Sequence, residues 1–250
     1  MRERGFTLVE LLAVVSIILT LGLVGAGAGW KVYESASLAV SASNIRQLAA
    51  GGLNYLAEHD YVYWPYRSND RSNGLGITWW FGFESAVSLA KPEGERDFNA
   101  ALGPLGGYVP KSLRPDPSFA LGGHAFKPKF KNGYIGTGYN VLLGGGFMGA
   151  GTCANHLQLS DPSKVVVFVT SAQVNTFQSP ATGKNPMLEE FYGIDARETT
   201  IHFRHHKKAM VSFANGSAGF LEMDETTRDK RMPKANVGRF SPVGTTNFLK

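Results

Sequence analysis

The chain has 250 residues, 43% of them hydrophobic and 18% charged, which is enough to bury a core and too little to require several domains. Its 25 Lys and Arg outnumber its 20 Asp and Glu, but these charges do not gather into a stripe, so a solvated surface explains them better than a nucleic-acid site. The single cysteine, Cys153, excludes an intramolecular disulfide and is expected to be a small packed residue.

A long uncharged segment begins close to the N-terminus. Residues 11–30 carry no charged side chain, and at about 1.5 Å per residue a helix of this length crosses the roughly 30 Å hydrocarbon layer of a bilayer. Arg2 and Arg4 precede the segment, which places the N-terminus in the cytoplasm and the remaining chain outside. The sequence therefore predicts a single-pass helix over residues 6–30 in the cytoplasmic membrane.

Glu10 is a carboxylate near the start of this apolar segment. An acidic residue deep in a bilayer costs roughly 2.5–3.5 kcal/mol on insertion scales, so such a residue indicates a function and needs a cationic partner. The alternative is that Glu10 lies close enough to the interface to reach water.

The run Gly5-Phe6-Thr7-Leu8-Val9-Glu10-Leu11-Leu12 resembles the processing and methylation signal of type IV prepilins and type II secretion pseudopilins. The resemblance implies that a membrane prepilin peptidase cuts between Gly5 and Phe6 and methylates the new amino group of Phe6. It also implies that Glu10 neutralises the Phe6 ammonium of a neighbouring subunit inside a filament. The expected partners are the peptidase, other copies or related pilin subunits, the inner-membrane assembly machinery and membrane lipid.

An ordinary secretory signal peptide is the competing interpretation. The basic start, the apolar stretch and Ala26-Gly27-Ala28 fit an A-x-A cleavage site, and cleavage after Ala28 yields a soluble secreted protein. Glu10 inside the apolar stretch argues against this interpretation, as does a stretch longer than the usual ~7–15 residues.

The first helix is predicted to continue beyond the membrane segment. Apolar and small residues recur at three- and four-residue steps from Leu38 to Leu56, which predicts a stripe that packs on a globular head. No proline occurs before Pro65, so one helix from about Thr7 to Glu58 is allowed, with Gly51-Gly52 as its weak point.

The head is predicted to be an antiparallel sheet laid against this helix, which gives an α+β fold with long loops, among them residues 91–131. The strands are expected at residues 139–143, 165–169, 209–213 and 218–223. Asn215-Gly216 joins the last two and predicts a two-residue type I′ hairpin turn in which Phe213 faces Ala218.

The chain thus divides into five parts. They are a leader peptide (1–5), a transmembrane helix (6–30), a helix continuation (31–58), a globular head (59–223) and a basic flexible tail (224–250). The tail has six Lys and Arg against three Asp and Glu and few large apolar residues, which favours a mobile or wrapping segment.

The head also resembles, more loosely, a subgroup of these proteins that is marked by a histidine, nine residues and Asp-Gly. His205 is followed at this spacing by Asn215-Gly216, so an amide replaces the usual acid and the resemblance does not carry over cation binding. Asn still suits the expected turn because it tolerates φ > 0.

No catalytic, cofactor or metal site is expected. Residues 144–149 satisfy G-x-G-x-x-G, but another loop follows them where a dinucleotide site needs a helix. His202, His205 and His206 are expected to be solvated or hydrogen-bonded. The aromatic segment 61–66 favours packing in the core and at subunit interfaces, while a minor pilin that stacks DNA or glycan on it stays an alternative. The sequence therefore predicts a structural subunit of a type IV pilus or a type II secretion pseudopilus.

Overall fold

The computed structural model describes residues 7–69, 71–110, 113, 115–131 and 136–240, with the backbone alone described at 21–28, 30 and 120–122. A 51-residue helix, α1 (Leu8–Glu58), dominates the N-terminal part of this structure. The prediction of one helix from about Thr7 to Glu58 is confirmed. A second helix, α2 (Ala86–Leu89), is a single turn.

Gly51 and Gly52 do not interrupt α1, because they are points of close contact with the head. A Cβ atom on Gly51 would lie 2.9 Å from the carbonyl oxygen of Tyr108, and one on Gly52 would lie 2.8 Å from the ring of Trp64. These glycines let the helix approach the head closely, and the packing offsets their low helix propensity.

The sequence predicts that residues 6–30 cross a membrane. Across the residues that the structure describes, no helix combines the length and the apolar character that a membrane crossing requires.

The head is built from short strands. Among the described residues they are β1 (Arg67–Ser68), β2 (Gly76–Trp79), β3 (Gly82–Ser85), β4 (Phe126–Lys127), β5 (Thr137–Asn140), β6 (Val166–Thr170), β7 (Gln173–Asn175), β8 (Met187–Glu189), β9 (Gly193–Ile194), β10 (Ile201–His202), β11 (Lys208–Phe213), β12 (Ala218–Asp224) and β13 (Val237–Phe240). The four predicted strands correspond to β5, β6, β11 and β12, with β5 displaced toward the N-terminus.

The strands form one large sheet and two small ones. The large sheet has the order β10-β13-β12-β11-β6-β5-β9, and the small sheets have the orders β1-β2-β3 and β4-β8-β7. The large sheet is antiparallel except for β5 and β9, which pair in parallel. α1 packs on β11 and β6. The mixed helix and sheet architecture is therefore confirmed, and two parallel pairs, β5–β9 and β4–β8, are additions to the predicted antiparallel sheet.

The predicted register of the β11–β12 hairpin is wrong by one residue. Ser212, and not Phe213, is the partner of Ala218. The Phe213 amide donates to the Ser217 carbonyl oxygen at 2.8 Å, and the Gly216 amide donates to the Phe213 carbonyl oxygen at 2.9 Å. Gly216 has a φ of 85°, whereas Asn215 is outside the left-handed region. This is the three-residue loop in which a type I turn is followed by a left-handed glycine.

The boundary between head and tail also needs correction. The sequence predicts a flexible tail from residue 224, but β13 lies between β10 and β12 in the large sheet. Val237 and Phe240 are both buried, and since they are three positions apart they pack into different core clusters on opposite faces of the strand. The head therefore extends to Phe240, and residues 241–250 lie outside the described part of the chain.

Candidate functional site

The N-terminal end of α1 carries the predicted assembly residue. Gly5 and Phe6, the predicted cleavage and methylation residues, lie outside the described residues. Thr7 is the N-cap of α1, and its hydroxyl accepts a hydrogen bond from the Glu10 amide at 3.2 Å. The Glu10 carboxylate accepts from the Thr7 amide and from the Thr7 hydroxyl, both at 2.9 Å. Thr7 and Glu10 therefore form a capping box that satisfies two free amides at the helix start.

Sequence reasoning missed this capping role of Glu10. The signal was present, because Thr7 is followed three residues later by an acid and then by an apolar run. Glu10 thus orders the first turn of the helix and also presents a carboxylate there.

The first turns of α1 present apolar side chains in every direction. We call the helix from Leu8 to Leu19 the exposed half of α1. Its nine large apolar side chains, 45–77% exposed, are Leu8, Val9, Leu11, Leu12, Val14, Val15, Ile17, Ile18 and Leu19. Since successive helix positions differ by about 100°, these residues cover the whole circumference. A helix that is apolar all round is normally buried, whereas this half is exposed around its whole circumference.

The part of α1 from residue 37 to residue 56, which we call the head-bound half, is buried against the sheet. Ile45, Leu48 and Leu56 are at most 2% exposed. The predicted stripe along the continuation of the helix is confirmed by this burial. It fixes the direction in which the exposed half projects from the head.

A buried ion pair also joins the head-bound half to the head. Nη2 of Arg204 lies 2.6 Å from Oδ2 of Asp116, and both side chains are at most 3% exposed. Ser41 on α1 donates to the same oxygen at 2.6 Å. Although burial opposes it, the charge of Arg204 and the hydroxyls of Ser118 and Ser41 hold the pKa of Asp116 below its ordinary value.

His205 and Asn215, the marked residues of the looser resemblance, lie at opposite ends of β11 and form no common site. His205 pairs with Lys208 in the turn before the strand, and Asn215 lies in the turn after it. The nine-residue spacing between them therefore corresponds to the length of β11 together with the ends of the two turns that flank it.

His205 is buried, and among the described residues its Nε2 atom has no hydrogen-bond partner. Burial, and next the neighbouring charge of Arg204, lowers the pKa of His205 to about 4. The imidazole is therefore neutral at physiological pH. His206, the next residue, is exposed.

Asn215 orders its own turn. Its Oδ1 atom accepts from the Ser217 amide at 3.0 Å and from the Ser217 hydroxyl at 2.7 Å. The backbone amide of Asn215 donates to the Pro162 carbonyl oxygen at 3.1 Å. A Cβ atom on Gly216 would lie 2.7 Å from Leu53 of α1. An amide oxygen serves this turn as well as a carboxylate, which accounts for Asn in place of the acid.

The other candidate features are parts of the scaffold. Residues 144–149 are followed by a turn and an extended segment instead of the helix of a dinucleotide site. Trp64 and Trp80 are fully buried, so the core role predicted for the aromatic segment is confirmed for its Trp64, although Tyr61 remains exposed. Within the described ranges, no group of three or more His, Cys, Asp or Glu residues has the arrangement of a metal site.

Comparison with known proteins identifies the N-terminal segment. Residues 1–26 match the family model of the prokaryotic N-terminal methylation motif, which is the signal of type IV prepilins and pseudopilins. No curated protein and no solved structure matches the chain significantly. The match confirms the resemblance that was based on residues 5–12, and it covers the first 26 of the 250 residues.

Proposed function

We propose that the chain is the precursor of a type IV pilin-like subunit, which is cleaved after Gly5, methylated on Phe6 and assembled into a filament. The observation that carries this proposal is the match of residues 1–26 to the methylation motif. The exposed half of α1 supports it, since an apolar helix that projects from a folded head needs other molecules around it.

The exposed half has two successive environments in this proposal. Before assembly it is a membrane anchor with the N-terminus in the cytoplasm, as the uncharged run of residues 11–30 favours. After assembly the same side chains pack on neighbouring helices in the filament. Both environments remove apolar surface from water at about 25 cal/mol per Å², so moving between them costs little hydrophobic free energy.

Glu10 has two roles in the proposal. Its carboxylate caps α1 through Thr7, and it also offers a negative charge to the Phe6 ammonium of a neighbouring subunit. Carboxylate oxygens accept several hydrogen bonds, so capping leaves capacity for the ammonium. The pairing compensates two charges that would otherwise be isolated in an apolar core.

The subunit acts as a building unit and as a substrate of a prepilin peptidase, with inner-membrane assembly machinery and related subunits as partners. Type IV pili and type II secretion pseudopili are both built from subunits with such a signal. The head is the part in which they would differ, because the match ends before it.

The state of the mature N-terminus tests the proposal. We expect mass spectrometry of the protein from a host with the peptidase to show a chain that starts at methylated Phe6. A chain that starts at Gly29 would instead identify a secretory signal peptide cleaved after Ala28.

Gly5→Glu should block this cleavage, because a bulky charged side chain does not fit a site that selects for the absence of one. The unprocessed precursor should accumulate in membranes. Glu3→Gln is the matched control, since it alters the leader and leaves the scissile bond intact. Normal processing of Gly5→Glu would contradict the proposed cleavage site.

A further inference from the structure

The small sheet β4-β8-β7 brings an amine and several carbonyl groups together in the head. Lys127 on β4 is in register with Glu189 on β8, and Glu189 is in register with Gln173 on β7. Because residues in register on neighbouring strands point to the same face of a sheet, these three side chains project from the same side. The neighbouring residue Leu188 points to the other side and is buried there.

Lys127 is almost completely buried between two carboxyl groups. Its Nζ atom lies 3.2 Å from Oε1 of Glu189 and contacts Oε2 of Glu93. The side chains of Lys127 and Glu189 are 2% and 0% exposed, and that of Glu93 is 18% exposed. Lys and Glu are rarely buried to this extent.

Glu189 is held in a fixed orientation by two amide groups. Its Oε2 atom accepts from Gln173 at 2.6 Å and from Asn175 at 2.7 Å. These contacts leave Oε1 directed at the Lys127 amine. The carboxylate is therefore positioned to exchange a proton with that amine.

Arg96 and Lys129 belong to the same charged cluster as Lys127. Arg96 forms a two-pronged pair with Glu84 at 2.6 and 2.7 Å, and it lies 3.8 Å from Glu93. Burial lowers the pKa of Lys129, which also experiences the charges of Arg96 and Lys127. A condensation between an amine and a carboxyl group in this poorly solvated cluster removes two charges whose burial is costly.

We propose that Lys127 and Glu93 become joined by an amide bond, an isopeptide cross-link that forms spontaneously once the head has folded. The reactants already touch, so proximity and orientation are supplied by the fold. The product needs less solvation than the two charges that it replaces.

The reaction balances as a condensation. The neutral Nζ of Lys127 attacks Cδ of the protonated Glu93 carboxyl group, and a C–N bond forms. Glu189 takes a proton from the attacking nitrogen and delivers it to the departing hydroxyl group. The C–O bond breaks, one water molecule leaves, and Glu189 is ionised again. No redox change and no cofactor is involved.

The cross-link would give the head the kind of covalent restraint that a disulfide provides in other proteins. The chain has one cysteine and forms no internal disulfide, while the described residues between 91 and 131 form only two short 3₁₀ helices and the two-residue strand β4. An amide between Glu93 and Lys127 closes this segment into a covalent ring, which restricts the unfolded chain as a disulfide does. A filament subunit that bears tension benefits from such a ring.

Peptide mapping of the full-length protein, extracted from membranes in detergent, tests the inference. We expect a branched peptide that contains both Glu93 and Lys127 and is lighter by one water molecule than its two linear parts. Two linear peptides of unaltered mass would overturn the inference. A branch lighter by ammonia would instead place the bond at Asn175 or Gln173 and would overturn the assignment of Glu93.

Three variants and one control define the roles. Lys127→Arg and Glu93→Ala should lose the branched peptide, whereas Lys91→Arg should keep it, because Lys91 pairs with Asp97 at the surface. Glu189→Gln keeps the shape of the side chain and should slow the appearance of the branch at least tenfold after refolding. An unchanged rate would overturn the proton-transfer role of Glu189.

The mapping on wild-type protein decides the inference even if every variant fails to fold. The cross-link does not depend on how the N-terminus is processed. A normal mature N-terminus without a branched peptide would reject the cross-link alone, and a branched peptide in a chain that starts at Gly29 would reject the proposed function alone.

Discussion

The two halves of α1 share one uninterrupted helical backbone but differ in the burial of their side chains and in their contacts with the head. In the exposed half, every large apolar side chain from Leu8 to Leu19 faces outward. In the head-bound half, Ile45, Leu48 and Leu56 are buried and Ser41 joins the Asp116–Arg204 pair. One half therefore contributes to the stability of the isolated chain, whereas the large apolar side chains of the other half remain 45–77% exposed.

The largest expected effect separates assembly from folding at the exposed half. Glu10→Leu should abolish filaments, because the Phe6 ammonium of a neighbour would be buried without a counter-charge, at roughly 3–5 kcal/mol per contact. The head should melt as in the wild type. Electron microscopy of sheared fractions measures the filaments, and a blot of membranes measures the processed subunit.

Glu10→Gln is the control that the structure supplies. Glutamine can accept the Thr7 hydrogen bonds of the capping box but carries no charge. If the charge is what matters, both variants lose filaments. Wild-type filament yield from Glu10→Gln would show that capping is the function of Glu10, and the neutralisation mechanism would have to be abandoned.

A matched pair of leucines tests the comparison itself. Leu48→Ala in the head-bound half should destabilise the head by about 2–5 kcal/mol, because it leaves a cavity in a packed core. Leu12→Ala in the exposed half should leave the unfolding transition unchanged. Both full-length variants are unfolded in the same detergent and followed by tryptophan fluorescence, since Trp64 and Trp80 are buried in the head. Equal shifts would refute the division of α1.

Local signals explain the parts of this architecture that the sequence predicts well. The length of α1 follows from an absence of proline and a sustained apolar stripe, and both are properties of consecutive residues. The sequence predicts β6, β11 and β12 because their segments are apolar runs bounded by turn residues. The methylation motif is likewise a contiguous run.

The sequence-based predictions are wrong where contacts between residues far apart in sequence determine the structure. β13 forms because β10 and β12 offer it two hydrogen-bonding edges, and the β5–β9 pairing depends on a long connection. The predicted register of the hairpin is wrong by one residue because Asn-Gly occurs in both two- and three-residue loops. In the three-residue loop of this structure, the backbone amide of Asn215 donates to the Pro162 carbonyl oxygen. The buried partners Asp116 and Arg204 are far apart in sequence, so no local pattern could indicate them.

Acidification should destabilise the folded head. Burial lowers the pKa of His205 from 6.5 to about 4, so between these values the unfolded chain binds a proton that the folded head excludes. Stability is therefore full above about pH 6.5 and falls as the pH drops toward 4, by roughly 3 kcal/mol from this residue. Urea unfolding at a series of pH values measures the slope.

His205→Gln should flatten that pH dependence, and the buried His202, whose pKa burial also lowers, accounts for what remains. His206→Asn is the control, because His206 is exposed and asparagine tolerates its φ of 50°. A slope that disappears in His206→Asn and persists in His205→Gln would contradict the assignment.

The smallest expected effect concerns the turn that touches the head-bound half at Leu53. Gly216→Val should destabilise the head by about 1–3 kcal/mol, because a β-branched residue is strained in the left-handed region. The new Cβ would also lie 2.7 Å from Leu53, so the contact between turn and helix must open. Thermal melts of the full-length protein in detergent measure the shift.

Substitutions at two other glycines separate the backbone strain of Gly216→Val from its steric contact with Leu53. Gly146 has a similar φ of 83° but open space around it, so Gly146→Val reports backbone strain alone. Gly107 has open space and no left-handed φ, so Gly107→Val should change nothing. If Gly216→Val costs more than Gly146→Val, and Leu53→Ala recovers the difference in the double variant, the turn is held against α1 by contact. If Gly216→Val and Gly146→Val destabilise the head equally, and Leu53→Ala recovers nothing, Gly216 is needed only for its backbone conformation. The turn would then not belong to the contact surface of the head-bound half.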